Sequence, residues 1–274
     1  MHHPSLEAFF TNGRQLLARG PVALIFAEDE VELVSTLEHH RKIGFRQIIL
    51  FGPERLVAEL PDGACTTVNC DTSAADAARH ILNRVILVTP PATWLYWGYN
   101  AEYLYFPFCE SRSVGELLAF HAEERRAAMV TYVIDLYAQD LRAHPNAVSR
   151  DNAMFDGQGY FAMPRYRDGQ VMERQMDIFG GIRWRYEQHV PWPRQRIDRV
   201  ALFRPQKDLH LREDGTFSIE EMNTISCPWH HNLTGAVASF RTAKALCSNP
   251  GSKWEIGGFQ WSGSERFGWS SQQL

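Results

Sequence analysis

Residues 21–51 restrict the fold of this chain more than any other stretch. An apolar run, Pro21-Val-Ala-Leu-Ile-Phe26, is followed by Glu28, Asp29 and Glu30, and then by Leu33, Leu37 and His40 at helical spacing. Gly44 ends that helix, and Gln47-Ile-Ile-Leu-Phe51 reads as a second buried strand. A strand, a helix and a strand of this length make a right-handed parallel crossover. Its three carboxylates stand where the first strand hands over to the helix. In open parallel sheets that edge is where ligands bind.

The rhythm continues through an alanine-rich helix at about 73–82, a strand Arg84-Val-Ile-Leu-Val88 and a break at Pro90-Pro91. A strand over 103–106, a helix from 115 to about 126 and a long apolar strand over 129–137 follow. Residues 1–137 therefore read as an α/β domain. From 138 to about 200 the chain is rich in Pro, Gly, Arg and aromatic residues, which predicts long loops and short strands packed on the first part. Val200-Ala-Leu-Phe203 and Gly235-Ala-Val-Ala-Ser-Phe240 are short strand candidates, and the tail after Cys247 reads as a surface wrap that pins its tryptophans onto the domain. Residues 138–274 thus form a second, irregular region of one compact unit.

With 45% hydrophobic and 22% charged residues, 274 residues suffice for a sizeable core. A net charge of -4 gives no reason to expect a nucleic-acid partner. No stretch reaches the roughly 18–20 apolar residues of a membrane span, and the N-terminus lacks a secretion-signal pattern, so a cytoplasmic location is expected. The cysteines, five at irregular spacing, read as reduced, buried thiols rather than a disulfide framework.

Several short pieces, in order, carry a resemblance. They are Glu28-Asp29 with Leu33, His40 and Gly44; Ala101-Glu102-Tyr103-Leu104; Tyr105, Pro107 and Cys109-Glu110-Ser111-Arg112; Leu117-Leu118; and Ile134-Asp135-Leu136-Tyr137. Gly180-Gly181-Ile182-Arg183, Val200-Ala-Leu202 and Gly235-Ala-Val-Ala-Ser-Phe240 follow. Together they resemble the family 2-like glycosyltransferases of bacteria, over most of residues 22–267. The resemblance implies a GT-A fold, a mostly parallel Rossmann-like sheet flanked by helices with an irregular acceptor-side C-terminal half. It also implies transfer of a sugar from a nucleotide-sugar donor to a glycan or other hydroxyl acceptor. In that family an Asp-x-Asp turn holds Mn or Mg against the donor diphosphate, offsetting the charge that grows as the glycosidic bond breaks, while a base takes the acceptor proton.

The departures fall on functional positions. The two aspartates of the turn are Tyr99 and Ala101 here, which supply no hard carboxylate ligand. The Asn-Glu pair is Glu28-Asp29, the second strand runs into Phe51-Gly52-Pro53-Glu54 where an Asp or Asn is usual, and the late His-Phe-Lys is Ser239-Phe240-Arg241. Three readings follow: a metal-dependent transferase, a metal-independent one in which Arg and Lys clamp the diphosphate, and an inactive descendant that acts as a binding or assembly subunit with a protein partner.

By resemblance, Glu102 and Asp135 are the catalytic candidates. Glu28, Asp29, Arg183 and Arg241 are the donor-binding candidates. Glu102 is equally open to a role as cap or ion-pair partner, and Asp135, alone in an apolar strand, requires a cationic partner such as Arg112 or Arg183. Glu30 reads as a helix cap. Cys227 with His230-His231 invites a metal reading, but adjacent side chains of an extended segment point to opposite faces. His39-His40 reads as a packing pair, with His40 toward the sheet. The aromatic residues from Trp94 to Phe106 suit either a glycan groove or a core. Tyr103 and Tyr105 are expected in the core, and Tyr99 and Trp97 are expected to fill the emptied ligand position.

Overall fold

A computed structural model describes residues 1–58, 60, 63–225 and 233–273. Cys227, His230 and His231 lie outside the described residues. The strands are β1 His2–His3, β2 Val22–Phe26, β3 Gln47–Gly52, β4 Thr66–Asn69, β5 Leu95–Tyr99, β6 Glu102–Tyr105, β7 Ala128–Ala138, β8 Ala153–Asp156, β9 Phe161–Arg167, β10 Gln170–Phe179, β11 Asp198–Phe203, β12 Gly235–Ser239 and β13 Ser264–Arg266. The helices are α1 Leu6–Asn12, α2 Leu33–Lys42, α3 Glu54–Val57, α4 Ala77–Val88, α5 Val114–Glu123, α6 Gly181–Arg185, α7 Trp192–Gln195 and α8 Arg241–Ser248.

One large sheet runs in the order β1-β4-β3-β2-β5-β11-β7-β12-β6, with β8 and β13 attached beside β7. β11 is antiparallel to both β5 and β7, so those two run the same way, and β12 is parallel to β7. The carboxyl ends of β2, β3, β5, β7 and β12 therefore share one edge. The class is α/β with a mostly parallel, mixed sheet flanked by helices. Four of its strands, β8, β11, β12 and β13, come from beyond residue 138, and β11 and β12 sit inside the sheet rather than on it.

Alternation along β2 and β3 explains the layers. Ala23, Ile25, Ile48 and Leu50 face a core shared with Leu33 and Leu37 of α2 and Leu117 and Leu118 of α5. Val22, Leu24, Phe26, Ile49 and Phe51 face the opposite core, with Ile81, Leu82, Val85 and Ile86 of α4. A strand buried on both faces reads as an unbroken apolar run, as these do.

α4 corrects one expectation. Residues 84–88 continue a single helix instead of forming a strand. Ile81, Leu82, Val85 and Ile86 make one buried helical stripe, while Leu87 and Val88 are exposed. A short apolar run rich in β-branched residues does not by itself separate the two states.

The irregular half also holds a regular hairpin, β9–β10, antiparallel and outside the main sheet. Asp168 and Gly169 at its tip both have positive φ, 50° and 78°, the geometry of a type I′ turn. An Asp-Gly pair is a hairpin signal that apolar periodicity passes over. The tail does wrap: β13 pairs with β8, and Trp269 packs edge-on against Tyr103 and Phe267, although Trp254 stays 84% exposed. Among the described residues no helix is long and apolar enough to cross a membrane.

One geometric constraint shapes the site. β5 and β6 are joined only by Asn100 and Ala101, and three Cα steps span at most about 11 Å. In a flat sheet the four spacings from β5 through β11, β7 and β12 to β6 would cover about 19 Å. The sheet must curl until its far edge strand returns to the end of β5. β11 accordingly pairs with β5 only at Leu202–Tyr96 and Phe203–Leu95, and the curl closes over Glu102.

Candidate functional site

The shared carboxyl edge gathers most of the site residues singled out from the sequence. Glu28 and Asp29 follow β2, Tyr99 ends β5, Asp135 lies near the end of β7, Ser239 ends β12 and Arg241 opens α8. Register brings Phe26 beside Tyr99, and Ser239 between Asp135 and Glu102.

Each of the four acidic candidates is bound to its own cation. Glu28 takes Arg241 bidentately, with Nε and Nη2 at 2.8 and 2.6 Å. Lys244 Nζ sits 2.8 and 2.7 Å from the two oxygens of Asp29. Arg199 donates to Glu102 at 3.3 and 2.7 Å, and Arg183 Nε lies 3.1 and 3.0 Å from the oxygens of Asp135. Arg183 is thus the partner that the buried Asp135 requires, while Arg112 instead pairs with Glu116.

Glu102 is 1% exposed and fully engaged. Besides Arg199 it accepts from the Tyr99 backbone N–H at 3.0 Å and the Ser239 hydroxyl at 3.1 Å. Burial opposes its charge, but the attraction and hydrogen bonds of Arg199, the nearby Arg241 and the Tyr99 N–H outweigh it and hold the carboxyl below its ordinary value. Asp135, also 1% exposed, goes the other way: burial raises its pKa despite Arg183.

Three residues complete the edge that the sequence reading did not pick out. Asn100 accepts from the Glu28 N–H at 2.9 Å and donates to Asp29 at 2.7 Å and to the Val31 carbonyl at 2.9 Å, so it ties the β2 loop to the β5 turn. Arg199 occupies the residue before the Val200 strand run. Lys244 follows Arg241 by three positions, which puts both cations on one side of a helix start, the signal that would have found it. Glu30 does not cap α2: the N-cap is Glu32, and Glu30 is exposed near Arg55.

The two positions that the resemblance gives to aspartates, Tyr99 and Ala101, are otherwise engaged. The Arg241 guanidinium carbon stands 3.7 Å from the centre of the Tyr99 ring, a cation–π contact. Trp97 is buried beneath Arg199 at 5.0 Å and donates its indole N–H to the Val200 carbonyl. The Ala101 side chain has no ligand atom. The residue holds φ 59°, with its N–H bonded to Thr36 Oγ1 and its carbonyl to the Phe240 N–H. A divalent cation needs several free oxygen ligands, and here one position has none, one is covered by a guanidinium, and Glu102 is taken by Arg199. The residues present do not fit such an ion.

The packing expectations hold: Tyr103 and Tyr105 are buried, and His40 is buried against Tyr96 at 4.8 Å between ring centres. Compared with models of known families and with curated proteins, the chain matches none.

Proposed function

We propose that the chain is a glycosyltransferase-like protein of GT-A-like architecture that acts as a binding or assembly subunit. In this reading it takes a nucleotide sugar at the carboxyl edge, with Arg241 standing in for the divalent cation, and does not transfer the sugar. The observation that carries it is the one-to-one pairing of Glu28, Asp29, Glu102 and Asp135 with Arg241, Lys244, Arg199 and Arg183.

Transfer needs a base with a free lone pair beside the acceptor hydroxyl. Glu102 has its oxygens committed and lies out of reach of solvent. A diphosphate, by contrast, needs only fixed positive charge, and a guanidinium held flat against a ring offers it a planar fork of donors. The side chain of Arg241 is 36% exposed, so it has a free side to offer. Descent from an aspartate turn is supported by Ala101: its left-handed conformation is one that Asp and Asn adopt several-fold more readily than other non-glycine residues.

A second reading is metal-independent transfer with Asp135, on the same edge, as base once Arg183 releases its carboxylate. Melting curves with millimolar UDP-, GDP- and CMP-sugars in a chelator, run beside an assay for released nucleotide, separate the two. A ligand that binds the native state must raise the melting temperature. The proposal expects a shift without turnover. Turnover in chelator establishes the second reading, and absence of any shift removes both.

A further inference from the structure

We infer that the interior between α2 and β5, beneath the turn that carries Glu102, is a binding site for one ordered water, shared by the Tyr96 hydroxyl and His40 Nε2. Both residues are fully buried, and neither of these two atoms has a hydrogen-bond partner among the described residues. A polar atom shut inside a protein loses its hydration and must recover it from another group. Where the chain supplies no such group, an internal water with two or more polar partners does.

The two atoms belong to rings in contact, tilted by 32° with their centres 4.8 Å apart. His40 is fixed from its other nitrogen: Nδ1 lies 2.8 Å from the Thr36 carbonyl, so Nδ1 carries the proton and Nε2 is a bare acceptor. The Tyr96 hydroxyl lies over Gly98. A Cβ on that glycine would stand 2.6 Å from the hydroxyl oxygen and 3.2 Å from Glu102 Oε2, so a side chain there would displace the polar atoms gathered under the turn. Thr36 already ties α2 to the turn through its hydroxyl and the Ala101 N–H. A water between His40 and Tyr96 makes a second tie, one helical turn further along α2.

Charge and size select the occupant. Glu102 beside the hydroxyl repels an anion, and Arg199, held on that carboxylate at 2.7 Å, repels a cation. What remains is a neutral molecule that can donate to Nε2 and accept from the hydroxyl at the same time. Phe45, itself buried, packs on both rings at 5.8 and 5.6 Å, so the surroundings are closed and only the smallest such molecule enters. One enclosed water satisfies Nε2 without charging the ring.

A crystal structure of the full chain at a resolution that shows ordered waters, together with melting curves of Tyr96→Phe, tests this. Density for a water within about 2.7–3.2 Å of both Tyr96 Oη and His40 Nε2 is the expected result. Tyr96→Phe keeps the ring but takes one partner from the water, so the melting temperature should fall by about 2–4 °C, and Tyr96→Phe with His40→Leu should recover part of that loss. A hydroxyl that is bare in the folded chain would be relieved by its removal, so an unchanged or raised melting temperature in Tyr96→Phe overturns the inference. So does a structure in which the hydroxyl bonds directly to His40 or Glu102, or in which no water lies between the two atoms.

Discussion

At the scale of the residue, the fate of Glu102 turns on what surrounds it rather than on what it is. A carboxylate at the end of a sheet strand is a candidate base in a sequence. Inside the curl it becomes half of a buried ion pair with Arg199. Removing one partner of such a pair leaves an uncompensated charge, which costs about 3–5 kcal/mol, whereas replacing both by apolar groups of similar volume is often close to neutral. Arg199→Met should therefore lower the unfolding free energy by about that amount, and Glu102→Leu with Arg199→Met should recover most of it. Urea unfolding of the single and double variants measures this. A loss below about 1 kcal/mol in Arg199→Met would mean the pair is effectively solvated. The pKa of Glu102 is depressed in the folded state, so its contribution is present above the ordinary carboxyl range and is lost as pH falls through the folded value.

At the scale of the element, what was legible depended on whether one face of a segment is buried. β2, α2, β3 and β7 could be read from apolar runs and helical spacing because the two cores demand those patterns. The hairpin β9–β10 could not be read that way, since most of its side chains are solvent-exposed and leave no periodic trace. The end of α4 was misread because Val85 to Val88 suits a strand equally well by composition. At the site, Asp135 with Arg183 was legible because a lone carboxylate in an apolar strand requires a cation. Arg199 was not, because its pairing depends on the curl that brings β6 back to β5, a property of the whole sheet. Gly180, at the start of α6, offers a test at this scale. Gly180→Ala places a methyl inside the Tyr160 ring and strains a residue at φ 151°, so the melting temperature should fall by several degrees and Tyr160 should become more exposed. An unchanged melting temperature and unchanged tyrosine emission would contradict that packing.

At the scale of the molecule, buried histidines shape the response to acid. Burial pushes His40 down to about 3, and His39 and His121 down to about 4, from an ordinary value of 6.5. Below 6.5 the unfolded chain takes up protons that the folded chain refuses, so stability is greatest above that value and falls as pH drops toward 4, each histidine contributing up to about 1.4 kcal/mol per pH unit. Asp135, with its raised pKa, works in the opposite direction, favouring the folded state in acid. The urea midpoint should drop between about pH 7 and about pH 5, and drop less in His40→Phe. A flat profile would show that these rings are hydrated.

The central claim concerns the whole edge, where four carboxylates are held by four resident cations and Arg241 occupies the place of an external one. Titration calorimetry in a chelator, comparing the wild-type chain with Arg241→Gln against UDP-, GDP- and CMP-sugars, tests it most directly. Binding by the wild type that manganese does not strengthen, weakened about tenfold in the variant, is the predicted result. Binding that appears only when manganese is added, or that Arg241→Gln leaves intact, would contradict it.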